Sequence, residues 1–179
     1  MRLIVISSAI SVPNEHEIIT SLFENGLEIF HIHKPSFSKE EIKTFVQQIP
    51  FKYHNRIALH SDFPKFHSLK ELEEYKGKHE YAFLSPIFDS ISKVGYKSNF
   101  DLGTLQKSLR LLKCAENLFA LGGIDEDKIE TCCKLCFTGV AVLGAIWNNN
   151  NPLEKFIKLK SICHSERSEE SIDASLRSA

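Results

Sequence analysis

The sequence has almost no net charge: 22 Lys and Arg stand against 23 Asp and Glu, a balance of −1. No whole-protein field therefore draws it to nucleic acid or an anionic membrane, and any basic site is local. No apolar run approaches the roughly 18 residues a membrane span needs, which removes a transmembrane role. Met1-Arg2 and the apolar stretch from Leu3 to Ile10 lack an A-x-A-like cleavage site. They read as a buried first strand rather than a leader. The cysteines, Cys114, Cys132, Cys133, Cys136 and Cys163, are odd in number and follow no export signal, which points to thiols in a reducing cytoplasm. Cys132-Cys133-x-x-Cys136 has no second C-x-x-C or nearby His pair to complete four ligands, so no structural zinc is expected there. What remains, 42% apolar and 25% charged over 179 residues, is ordinary globular composition with room for one core.

Runs rich in β-branched and aromatic residues predict six strands, at about 2–8, 28–34, 55–61, 80–87, 116–124 and 139–147. Between and after them, helical periodicity runs over 15–25, 39–48, 69–76, 102–113, 126–136 and 152–162. Ser38 with Glu41, and Ser68 with Glu71, have capping-box spacing, and Asp125 stands where it caps the helix after Gly122-Gly123. Strand and helix in alternation give right-handed crossovers and a parallel sheet, either open and doubly wound or closed as a barrel. In both, the site lies at the C-terminal strand ends. Here those ends read Ser7-Ser8, His31/His33/Lys34, His60-Ser61, Ser85, Gly122-Gly123 and Gly144, all small or polar. From His164 onward, HSERSEESIDASLRSA carries Ser and charge with little to bury. Residues 1–163 are thus expected to form the domain and 164–179 a disordered tail.

Three stretches carry chemistry. Ala120-Leu-Gly-Gly-Ile-Asp125 and Gly139-Val-Ala-Val-Leu-Gly-Ala-Ile146 each end a strand in glycine where the next helix begins. Backbone N–H groups there can approach a phosphate with no Cβ in the way, although the glycines also suit plain turns. After YAFL, the loop from Ser85 to Lys97 presents Ser90, Ser92 and Lys93, an anion cradle in composition. On the strand Phe30-His-Ile-His-Lys34, alternation turns His31 and His33 to one face, with Lys34 beside them. His-x-His is also a zinc pattern, but beyond His60 no third ligand offers itself. His67, just before the capping Ser68, stands at the mouth of the site side as an acid or base candidate.

Taken together, FLSPIFDSISKVGYKS, ALGGID and GVAVLGAIW, in this order and spacing, resemble the thiamine-phosphate synthase and thiazole tautomerase family. The likeness is greatest to compact Bacteroidetes-type members and covers about residues 2–162. It implies a (β/α)8, TIM-barrel-type fold. The activity implied is either a Mg2+-dependent transferase or an isomerase. The transferase joins hydroxymethylpyrimidine diphosphate to thiazole phosphate and releases pyrophosphate; the isomerase aromatises a thiazole carboxylate phosphate. It also implies that Ser90, Ser92 and Lys93 stand for the family's Thr, Thr and Lys, with Lys93 a catalytic cation. Gly122, Gly123 and Gly144 are implied to hold thiazole phosphate. His31, His33 and Lys34 replace a Gln-x-Arg-Glu-Lys stretch at the diphosphate, so the arginine is lost. His67 matches the tautomerase proton-transfer histidine. Ser61 falls where the family has a Mg2+-binding Asp, and a hydroxyl is a poor substitute there.

Eight units of about 26 residues need roughly 210, yet 163 precede the tail. The family's two short strands between the equivalents of Ser61 and His67 face only five residues here, 62–66. An internal deletion, an incomplete barrel of about six of eight strands, and exposed edges are therefore expected. The functions in view are a transferase in thiamine biosynthesis, an isomerase using His67, and an inactive phosphate-binding remnant. Partners are expected to be small phosphorylated molecules, with no nucleic acid and no membrane.

Overall fold

The computed structural model describes residues 1–75, 79–91, 95, 97, 98, 100–112 and 117–176, of which 166–176 are described by backbone alone. One sheet holds seven parallel strands: β1 (Arg2–Ile6), β2 (Ile29–Ile32), β3 (Ile57–Leu59), β4 (Lys65–Phe66), β5 (Ala82–Leu84), β6 (Leu118–Leu121) and β7 (Gly139–Val142). The incomplete TIM-barrel-type fold is as expected, but the strand count among the described residues is seven rather than six. The extra strand, β4, is two residues long and follows Pro64, so no periodicity announced it. One of the two strands thought deleted between Ser61 and His67 is therefore present.

The strand order is β3-β2-β1-β7-β6-β5-β4. The first and last strands pair, as in a closed barrel, and the two edges are β3 and β4, which are consecutive in the chain. The opening thus falls where the sequence is short. A turn of 3-10 helix, His60–Asp62, bridges it. The Lys65 ammonium, on the β4 side, donates back to His60 O at 2.7 Å. Phe63 lies in the bridging segment and stacks on Tyr81, with ring centroids 4.4 Å apart.

Strand alternation sorts side chains into two cores. Ile4, Ile6, Phe83, Phe119 and Ala141 face inward and fill the barrel with Tyr81. Leu3, Val5, Phe30, Leu84, Ala120, Val140 and Val142 face outward against the helices. These are α1 (Glu15–Glu24), α2 (Lys39–Gln47), α3 (Leu69–Glu74), α4 (Leu102–Leu111), α5 (Glu126–Lys134), α6 (Gly144–Trp147) and α7 (Pro152–Leu176). The capping signals hold: Ser38 and Glu41 form a reciprocal box, Ser68 accepts from Glu71 N, and Asp125 accepts from Glu126 N. α7 continues as helical backbone to Leu176. The last buried side chain among the described residues is Cys163. Cys132, Cys133, Cys136 and Cys163 are thiols. Among the described residues no helix is long and apolar enough to cross a membrane.

Candidate functional site

A cavity of about 230 Å³ opens at the C-terminal ends of the strands. Each strand delivers a residue to it: Ile6 from β1, His33 after β2, His60 after β3, Lys65 from β4, Ser85 after β5, Leu121 to Ile124 from β6, and Val142 to Gly144 from β7. Of the residues singled out in the sequence, the structure brings together His33, His67, Ser90, Gly122, Gly123 and Gly144. Ser92 and Lys93 lie outside the described residues.

The glycine rim is built by close approach. Gly122 and Gly123 have φ of +95° and +68°, a region side chains rarely occupy. A Cβ on Gly122 would lie 2.8 Å from Pro86 Cα, and one on Gly123 would run into Asp89 O and the Phe88 backbone. Backbone bonds from Ile87 N to Leu121 O and Phe88 N to Gly122 O hold the same two segments together. The loop after β5 and the glycine turn after β6 are therefore one packed unit, which neither motif reveals alone.

Two expected ligands are elsewhere. His31 does face inward, as alternation required, but it is fully buried beneath the cavity and is not part of its wall. Its Nε2 lies 2.6 Å from the Tyr81 hydroxyl and its Nδ1 3.2 Å from His60 Nδ1. Lys34 lies on the helix side, where its Nζ is 2.6 Å from Glu15 Oε2 and donates to Ile10 O at 2.7 Å. Its side chain is 0% exposed, so it is a partner of the fold and not of a ligand in this cavity.

Sequence reasoning missed Lys65. Its ammonium donates to His60 O at 2.7 Å and Phe63 O at 3.3 Å, leaving one of three N–H donors for the cavity. Burial lowers its pKa, with Asp62 opposing. His60, one of the polar strand ends of the sequence reading and the third ligand considered for a metal, forms part of the wall. Burial, then Lys65, lowers His31 to about 4. Burial, then Lys65, His31 and His33, lowers His60 to about 3. Both are neutral near pH 7. His67 Nδ1 lies 2.8 Å from Ser85 O, and a carbonyl only accepts, so neutral His67 carries its proton on Nδ1. Its Nε2 is then a proton acceptor at the cavity.

Magnesium does not fit the residues described. Among the described residues no Asp or Glu lines the cavity, whereas a hard cation needs carboxylate oxygens. Ser61 lies in an adjoining groove that shares His33 and Lys65 with the cavity, and its hydroxyl donates to Asp62 at 3.2 Å. Among the described residues no group of three His, Cys, Asp or Glu side chains is placed to hold a metal.

No protein-family model matches the chain, and among curated proteins no match is found. Solved structures do match. A thiamine phosphate pyrophosphorylase from Bacteroides thetaiotaomicron is 28% identical, with a TM-score of 0.77 over 92% of this chain and 98% of that one. A thiamine phosphate pyrophosphorylase from Pyrococcus furiosus is 19% identical, with a TM-score of 0.71 over 92% of this chain and 96% of that one. The (S)-3-O-geranylgeranylglyceryl phosphate synthase from Thermoplasma acidophilum shares the fold alone, at 12% identity and a TM-score of 0.57 over 90% of this chain and 92% of that one. In fold, and at 28% identity over 92% of its length, the chain is thus similar to a thiamine phosphate pyrophosphorylase.

Proposed function

We propose that the chain acts in thiamine biosynthesis as a transferase of the synthase type, joining hydroxymethylpyrimidine diphosphate to thiazole phosphate. The observation that supports this reading is the convergence of the Gly122-Gly123 turn, Gly144 and Ser90 on one cavity, in a chain whose fold matches two thiamine phosphate pyrophosphorylases. Thiazole phosphate sits on the glycine rim, where backbone N–H groups meet its oxygens. The thiazole nitrogen forms the new bond to the pyrimidine methylene carbon as the carbon–oxygen bond to diphosphate breaks. Diphosphate departs with the electron pair, and the remaining N–H of Lys65 stabilises the charge that develops. Lys93 supplies a second cation in this reading.

A second reading has a specific observation behind it. The described wall has no carboxylate for a metal and does hold His67 with its Nε2 open to a proton, the arrangement a thiazole tautomerase-like isomerase needs. The two separate in one set of assays. The transferase forms thiamine phosphate from both precursors, and Lys65→Ala lowers kcat/KM by about 10- to 100-fold. The isomerase turns over thiazole carboxylate phosphate equally with and without EDTA and loses that turnover in His67→Ala. Absence of both turnovers, with phosphate binding retained, identifies an inactive binding remnant and overturns both enzymatic readings.

A further inference from the structure

The buried side chains beneath the cavity form a chain of three hydrogen bonding groups with a fixed sense. Tyr81 is 3% exposed, and among the described residues its hydroxyl meets one partner, His31 Nε2 at 2.6 Å. A buried O–H without an acceptor is costly, so the phenol donates to His31 Nε2. A neutral imidazole that accepts at one nitrogen carries its proton on the other. His31 is therefore protonated at Nδ1 and donates to His60 Nδ1, 3.2 Å away. By the same rule neutral His60 is protonated at Nε2. His60 is 5% exposed and lines the cavity. With Nδ1 turned inward to His31, the ring's other edge faces outward, and no hydrogen bond to a described residue occupies Nε2.

We propose that His60 Nε2–H is a ligand-contacting donor, aimed at an acceptor oxygen of the anion held in this cavity, and that Tyr81 is the positioning residue that sets it through His31. This deepens the phosphorylated-substrate reading above and rests on it for the identity of the ligand. Were the phenol absent, His31 could carry its proton on Nε2, accept at Nδ1 from His60, and leave His60 Nε2 as a lone pair facing an anion. The cavity would then repel what it now attracts. A cation at this position would attract an anion at any orientation, whereas a neutral imidazole does so only in one tautomer. That dependence makes the buried phenol consequential at a distance.

The test begins without ligand. Side-chain 15N spectra of the free wild-type protein are expected to show His31 protonated at Nδ1 and His60 at Nε2. The reverse pair of tautomers overturns the proposal whether or not the cavity binds phosphate. In Tyr81→Phe the His60 Nε2–H population is expected to fall, with inorganic phosphate binding about five- to tenfold weaker, the worth of one hydrogen bond. His60→Ala weakens binding to a similar degree, and adding Tyr81→Phe to it changes nothing further. Unchanged phosphate affinity in both single variants overturns the contact. A wild-type protein with the expected tautomers that binds no phosphate leaves the donor in place and overturns the phosphorylated-substrate reading instead.

Discussion

Lys34→Ala is expected to destabilise the fold by about 3–5 kcal/mol at neutral pH, the usual result of leaving one half of a buried ion pair behind. The Lys34 ammonium is fully enclosed, 2.6 Å from a Glu15 carboxylate whose side chain is 5% exposed. It lies 5.4 Å from the Phe45 ring centroid and 5.7 Å from that of Phe37. Glu15 Oε1 has no hydrogen-bond partner among the described residues, and Lys34, with backbone bonds from Val12 and Ser8, is what offsets the burial of the carboxylate. Burial raises the Glu15 pKa and Lys34 opposes the rise. Without Lys34 the Glu15 pKa rises further, since its hydrogen bond and charge are what oppose the burial. A group whose folded pKa is raised favours folding below its unfolded pKa and loses that contribution as pH rises through the folded one. The deficit of the variant is thus largest near neutrality and shrinks toward acid. Urea unfolding of both proteins at about pH 7.5 and about pH 5 measures it. A deficit below about 1 kcal/mol, or one independent of pH, contradicts the buried pair. Lys34→Met combined with Glu15→Gln is expected to recover most of the loss, because both charges go together.

The fate of Lys34 shows where sequence reasoning stops. Alternation placed His31 on the inward face and Phe30 and Ile32 on the outward one, and the structure agrees. Direction across a strand follows from a period of two, so parity is legible in a single sequence. Depth is not. Whether an inward residue reaches the cavity or lies beneath it depends on its height along the barrel axis and on what neighbouring strands stack above it. His31 lies one layer below the wall for that reason, and His33 two residues later is part of it. Lys34 lies two residues past the end of β2, where alternation no longer governs, and α1 brings Glu15 to it from 19 residues away. The glycine rim was legible because close backbone approach admits few residue types. Lys65 was not, because its strand has only two residues and gains its meaning from the seam that it spans.

Acidification from about pH 7 to about pH 4 is expected to remove several kcal/mol of stability, chiefly through His31 and His60. In the unfolded chain both imidazoles take up protons as pH falls through the ordinary value near 6.5, whereas burial in the folded barrel holds His31 to about 4 and His60 to about 3. The unfolded state therefore binds more protons throughout that window. Stability is full above about 6.5 and declines as pH drops toward the folded values, at about 1.4 kcal/mol per pKa unit for each group. A proton on His60 Nδ1 also breaks the N–H···N bond that the two rings share, and one on His31 Nε2 displaces the hydrogen bond from the Tyr81 hydroxyl. Denaturant unfolding at about pH 7.5, 6 and 5 is expected to show a steep fall for the wild type. Replacing both rings, His31→Leu with His60→Leu, is expected to flatten that dependence even where the absolute stability is lower. Equal slopes in the two proteins contradict the assignment. The same burial that makes the barrel acid-sensitive keeps the pair neutral at pH 7, and neutrality is what allows Tyr81 to fix a donor at the cavity. Acid therefore acts on the fold and on the cavity donor through the same two rings.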